Sequence, residues 1–207
     1  MNLLKDTRCY LAGPVEHDNG ASSWRKELAQ FLSELGVKVY DPLIKPPWMP
    51  SICRVEPSLY FKAMKGESTI IRTGDERDII NKKTTIRANQ MMREACMRIV
   101  GAVDWLICYL PLQFTAGTFE ETYEALRVNK PVLFCCPDGI PSHWVLAATL
   151  LEDEEAFLLN WSQVQNRIRA IDQGRMKLDP LKWMFLSWHR EGWDNPLGDP
   201  EWRNVNV

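Results

Sequence analysis

The sequence predicts an α/β protein: a three-layer sandwich with helices on both faces of a mostly parallel sheet of about five strands. Three observations carry this. Short apolar runs, Arg8–Pro14, Val103–Leu110 and Pro131–Cys136, have the length and content of buried strands. Segments with apolar residues at helical spacing lie between them. The joints are short, as in right-handed strand–helix–strand units.

Taken in order, Arg8–Pro14 reads as a strand ending in a tight turn at Gly13–Pro14. Ser22 and Ser23 are candidate N-caps. Trp24, Leu28, Phe31, Leu32 and Leu35 then recur at helical spacing, and Gly36 stops the helix. Val37–Tyr40 is a second strand, closed by Asp41-Pro42. Residues 44–83 break this rhythm with Pro46, Pro47, Pro50 and Pro57, then Gly66 and Gly74. They read as a long insertion, partly folded over the site, with a short helix near Ser58–Met64. Periodicity resumes through Ile86, Met91, Ala95, Ile99 and Val100, a helix leading into the strand at 103–110. The strand at 131–136 is followed by a turn at Pro137-Asp138-Gly139, a helix over 143–151 and a short strand at 156–159. A helix over 161–171, ended by Gly174, completes the set. The flavodoxin/Rossmann-like arrangement satisfies this order. Residues 1–180 are expected to form one α/β domain with 44–83 as a lid. Residues 181–207, rich in Trp, are expected to pack on it or on a second subunit.

Composition narrows the function. A net charge of −2 is not that of a general nucleic-acid binder. The charge is uneven, however. Between Lys45 and Arg98 stand 11 Lys/Arg against 6 Asp/Glu, a local +5, leaving −7 elsewhere. Such a segment suits an anionic ligand such as a nucleotide phosphate, or is simply a solvated surface. No apolar run approaches the ~20 residues of a membrane span, and the start of the chain lacks a signal-peptide pattern. Six scattered cysteines without a C-x-x-C pair, and only three histidines, point to buried reduced thiols in a cytoplasmic protein without metal or cofactor.

The most informative stretch is Thr115-Ala116-Gly117-Thr118-Phe119-Glu120-Glu121. A small-residue turn opens a helix between two strands, and Glu121 sits one turn inside it. This aims a carboxylate at a ligand lying beyond the carboxyl ends of parallel strands. Three segments converge on that edge: Ala12–Trp24, Asp41–Ile44 and Pro111–Glu121. Gly13 suits close approach of a ligand to the backbone. His17 and Asp18 either contact a base or phosphate or form an inert turn. Trp24 is either core or a stacking platform. Asp41, where the second strand ends, is a candidate substrate ligand.

Tyr10-Leu11-Ala12-Gly13-Pro14, Ser23-Trp24-Arg25 and Tyr40-Asp41-Pro42 resemble the opening of the nucleoside 2-deoxyribosyltransferase-like superfamily. This group includes deoxyribosyltransferases and deoxynucleoside monophosphate N-glycosidases. Ala102–Ile107 and Gly117-Thr118-Phe119-Glu120-Glu121 resemble its second half, so the likeness covers roughly residues 8–43 and 95–140. The resemblance implies a glutamate nucleophile at C1′ of a 2′-deoxynucleoside, here Glu121, with Gly117 and Thr118 against the sugar. It also implies that Asp104 orients the site, although Asp104 equally reads as a strand-start residue satisfied by backbone N–H groups. The implied partners are a small nucleoside or nucleotide and further copies of the chain, in a homodimer or higher oligomer. One departure stands out. Family members carry an acid eight residues before this Asp, and here that residue is Cys96, with Glu94 two positions away. Either another group supplies the proton, such as Asp18, Asp41 or His17, or the reaction differs. The alternatives are hydrolysis of another ribosyl compound, such as a nicotinamide dinucleotide, by the same carboxylate chemistry, or nucleotide sensing without catalysis, which the missing acid favours.

Overall fold

A computed structural model of the chain describes residues 2–15, 21–44, 53, 57–73, 76–112, 115–139 and 157–187. In chain order its elements are β1 (Arg8–Ala12), α1 (Ala21–Glu34), β2 (Lys38–Tyr40), α2 (Pro57–Met64), β3 (Thr69–Thr73), β4 (Glu76–Ile80), α3 (Lys82–Ala102), β5 (Trp105–Tyr109), α4 (Ala116–Arg127), β6 (Val132–Cys135), β7 (Phe157–Leu158) and α5 (Trp161–Asp172). They fall into two compact units, one within residues 1–43 and 99–200, the other centred on residues 44–98.

The first unit is the α/β sandwich. Its five strands lie in the order β2-β1-β5-β6-β7, and every neighbouring pair is parallel. Strand residues alternate between two faces, and both faces are apolar because both are covered. Cys9, Leu11, Trp105, Ile107 and Leu133 pack with Leu28 and Leu32 of α1 and Val164 and Ile168 of α5. Tyr10, Ala12, Leu106, Cys108 and Phe134 pack on the other side with Val100, at the end of α3, and Ala125 of α4. The chain winds outward from β1 to β2 on one side and from β5 to β7 on the other. The strand order therefore reverses between β1 and β5, and in parallel sheets of this kind ligands bind beyond the carboxyl ends at such a reversal.

Local signals set most boundaries. Gly36 ends the joint after α1 at φ +78°, and a Cβ there would lie 3.0 Å from Lys5 Cγ. α1 already runs through Ser22 and Ser23, so neither caps it as the sequence suggests. α4 closes with a Schellman pattern. Lys130 N donates to Ala125 O at 2.9 Å and Asn129 N to Leu126 O at 3.0 Å, with Asn129 left-handed at φ +58°. Trp183, Phe185 and Leu186 join the core beside Trp105, so the start of the Trp-rich tail packs on this unit. Trp188, Trp193, Trp202 and the helix expected over 143–151 lie outside the described residues.

The second unit adds strands to the 44–83 insertion that the sequence reading did not anticipate. The short helix near Ser58–Met64 is α2, but β3 and β4 also form an antiparallel hairpin in which Ile70 faces Ile79. The β-branched run at Thr69-Ile70-Ile71 and the pair Ile79-Ile80 flank Gly74-Asp75, a hairpin signal that the upstream prolines obscure. Cys53 and Ala88 centre a small cluster with Tyr60, Met91 and Met92.

All six cysteines are free. Among the described residues no helix is long and apolar enough to cross a membrane, and no group of three His, Cys, Asp or Glu side chains could hold a metal ion.

Candidate active site

The segment after β5 turns into α4 through Thr115, which caps the helix. Its Oγ1 accepts from Thr118 N at 3.4 Å and lies 3.0 Å from Thr118 Oγ1. Helical periodicity then decides which side chains face the sheet: Thr118, Glu121, Thr122 and Ala125 are buried, while Phe119 and Tyr123 are exposed. Of the two adjacent glutamates, Glu121 turns inward and Glu120 remains half-buried.

Glu121 meets β1. Tyr10 projects from the middle of that strand toward α4, and its hydroxyl donates to Glu121 Oε1 at 2.7 Å. A hydrogen bond of this length to a carboxylate is charge-assisted and fixes the orientation of the group. Beneath it, Cys108 Sγ lies 3.0 Å from Thr122 Oγ1, and Thr122 Oγ1 donates to Thr118 O at 2.7 Å. Burial pushes the Cys108 thiol well above its usual range, and the Glu121 charge adds to that effect. Cys108 is therefore a neutral wall rather than a nucleophile, and the reactive-looking group here is the carboxylate.

A second group of side chains at the carboxyl ends of β1 and β2 is built on α1. Arg25 is 0 % exposed. Its NH2 donates to Gly13 O at 2.7 Å and its NH1 to Pro14 O at 3.2 Å, while Nε lies 3.5 Å from Asp41 Oδ1. Asp41 Oδ1 also accepts from Leu43 N at 2.9 Å. Gly13 has no room for a side chain: a Cβ would lie 2.7 Å from Trp24 Cζ2. Trp24 is stacked on Trp161 with ring centroids 5.0 Å apart, packs against Tyr109 and carries the Arg25 guanidinium 4.3 Å from its ring centroid. Gly13 and Trp24 thus meet each other tightly, and the Trp24 ring is held as core rather than open as a platform for a base.

Asp104 stands apart from this group. It precedes β5, at the amino end of the sheet. Its Oδ2 accepts from Arg8 N at 2.7 Å and from Arg8 Nε at 3.2 Å, and its Oδ1 from Arg8 NH2 at 2.9 Å. This buried pair clamps β1 to β5. Lys130 adjoins it, donating from Nζ to Val103 O.

Burial lowers the Lys130 amine to about 8, with Asp104 opposing and Arg8 assisting the shift. Below pH 8 the ammonium is charged in both states and the folded state bears its full desolvation cost. As pH rises from about 8 to 10.5 the folded state releases the proton first, so stability increases through that window. The gain is on the order of 2–3 kcal/mol. Urea midpoints measured from pH 7 to 10 should show this rise in the parent and not in Lys130→Met. Parallel curves for the two proteins would contradict it.

Glu121, Thr118 and Gly117 thus share α4, and Gly13, Trp24 and Asp41 gather around Arg25, whereas Asp104 belongs to the opposite end of the sheet. His17 and Asp18 lie outside the described residues. Cys96 is partly buried and Glu94 exposed, both on α3 within the second unit. Tyr10 and Arg25 stand in the motifs that carry the resemblance, but the sequence reading gave neither a role at the site. Tyr10 had a signal: alternation places it on the same face as Ala12, toward α4. Arg25 had only its place in the Ser23-Trp24-Arg25 motif, beside an aromatic residue on the apolar side of α1.

No protein-family model matches the chain, and no curated protein does. Among solved structures it is similar in fold to a 2-deoxyribosyltransferase from the psychrotolerant bacterium Bacillus psychrosaccharolyticus. The two share 15% identity over 77% of this chain and 91% of the other, with a TM-score of 0.48.

Proposed function

We propose that the protein cleaves or transfers the N-glycosidic bond of 2′-deoxynucleosides or deoxynucleoside monophosphates, with Glu121 as the nucleophile at C1′. The observation that carries this reading is the Tyr10–Glu121 hydrogen bond of 2.7 Å beside the reversal of strand order. A buried carboxylate that accepts a charge-assisted bond from a hydroxyl has its direction set before any substrate arrives.

The chemistry follows from that placement. The bond from C1′ to the base nitrogen breaks, its electron pair leaves with the base, and an acid supplies the proton the base needs. The carboxylate stabilises the oxocarbenium-like sugar and captures it as an ester. Water or a second base then attacks C1′ and releases Glu121. The test is incubation with deoxynucleosides and their monophosphates, with and without a free acceptor base, followed by separation of released and exchanged base. Base released only when acceptor is present identifies a transferase; release without it identifies a hydrolase. A protein that binds nucleotide without turnover is the second reading, favoured by Cys96 where the resemblance expects an acid. Binding in the absence of any release would select it.

Gly117 separates a role in the fold from one in binding. It is exposed near the start of α4, and a Cβ there would meet nothing nearer than Thr115 Oγ1 at 4.0 Å. Gly117→Ala should therefore stabilise the protein by up to about 1 kcal/mol through helix propensity. If the sugar lies against this backbone, the added methyl should also raise KM several-fold. A variant that gains stability with KM unchanged would remove Gly117 from the ligand surface.

A further inference from the structure

We propose that Arg25 is a positioning residue for this site: its guanidinium bends the chain at Gly13–Pro14 and ties it to Asp41, fixing the strand-end loop beside the reversal of strand order. The inference rests on the glycosidic reading for its catalytic consequence, but not for its structural one.

A fully buried guanidinium is costly unless it is hydrogen-bonded and paired with an opposite charge, and here two nitrogens donate to carbonyls while Nε meets the Asp41 carboxylate as an ion pair. Three of its contacts lie at the carboxyl ends of β1 and β2: Gly13 O, Pro14 O and Asp41 Oδ1. In an extended strand successive carbonyls point to opposite sides. Here two consecutive carbonyls accept from one planar group, so the chain must turn where β1 ends. The bend takes the backbone out of the sheet at the reversal of strand order. It also requires Gly13, whose absent Cβ would fall 3.3 Å from Arg25 NH2 as well as against Trp24. Trp24 cannot yield, being stacked on Trp161. Asp41, through its bond from Leu43 N, carries the same link into the turn after β2. The charge also reaches the Glu121 group: the Cys108 thiol below Glu121 feels Glu121 and Arg25 with opposite sign. A lysine keeps the charge but lacks the fork, so it cannot hold both carbonyls and Asp41 at once.

The experiment compares Arg25→Lys with the parent by hydrogen exchange and by kinetics. The variant should unfold cooperatively, yet exchange faster in the peptide covering β1 and residues 13–15, with the other strands unchanged. Its kcat/KM for deoxynucleoside cleavage should fall roughly ten- to a hundredfold, the scale of a small misplacement of substrate. Guanidinium ion at millimolar concentration should recover part of that loss in Arg25→Ala. Unchanged exchange at the loop overturns the proposal, as does a kcat/KM per folded molecule equal to the parent's. Should the Arg25 variants fail to fold, Asp41→Asn breaks the same link and is read by the same two measurements. If the parent itself releases no base from any deoxynucleoside or monophosphate, the glycosidic reading fails, and the exchange result alone decides the role of Arg25.

Discussion

Glu121→Gln is expected to lower base release by at least about a thousandfold while leaving the fold intact. Glutamine is nearly isosteric, and its amide oxygen can still accept from the Tyr10 hydroxyl that now bonds Glu121 Oε1 at 2.7 Å. What it loses is the negative charge. An amide can neither stabilise a developing cation at C1′ as a carboxylate does nor form the ester that divides the reaction into two easier steps. The thermal transition should therefore stay close to the parent's, so that lost turnover cannot be ascribed to unfolding. Glu120→Gln supplies the control. That side chain is offset by about 100° on α4, so activity should remain near the parent's. Turnover undiminished in Glu121→Gln would remove the nucleophile from the scheme. Loss in Glu120→Gln alone would transfer the role to its neighbour.

The largest effect on stability is expected at Asp104. Its carboxylate accepts three hydrogen bonds from Arg8, and both side chains are almost completely buried, at 4 % and 5 % exposure. Asp104→Ala leaves the guanidinium in the interior without its counter-charge, beside the Lys130 ammonium. A loss of about 3–5 kcal/mol is expected. Urea unfolding of parent and variant measures it. Replacing both partners with apolar residues, as in Arg8→Met with Asp104→Leu, should recover much of the loss, because no charge is then stranded. The protein that remains folded in Asp104→Ala should keep its turnover, since Asp104 lies at the amino end of β5 and is bound by Arg8, whereas Glu121 accepts from Tyr10. The opposite pattern, turnover lost with stability kept, would assign Asp104 to the chemistry after all.

These two acidic residues show how legible the site was. Glu121 could be read because its surroundings are local: an apolar strand, a small-residue turn with a capping threonine, and a helix whose period turns one of two glutamates inward. Asp104 was also correctly placed along the chain, at the start of a strand. Only the resemblance carried it to the site, whereas in a parallel sheet a strand start and a ligand edge lie at opposite ends. Trp24 was read with both of its possibilities open. The choice between them depended on Trp161, more than a hundred residues away, which stacks on it. The β3–β4 hairpin was missed because a run of prolines upstream dominated the reading of that segment.

By itself the sequence determined the order of strands and helices in the sandwich, the apolar character of both sheet faces and the inward turn of Glu121. Each of these follows from periodicity and turn chemistry over a few neighbouring residues. Tertiary structure alone decided that Tyr10 meets Glu121 across 111 positions, that Arg25 gathers Gly13, Pro14 and Asp41, and that Arg8 neutralises Asp104. Those contacts depend on which strands lie side by side and in what register. Register is set by the packing of the whole sheet against its helices, which no short window of residues contains.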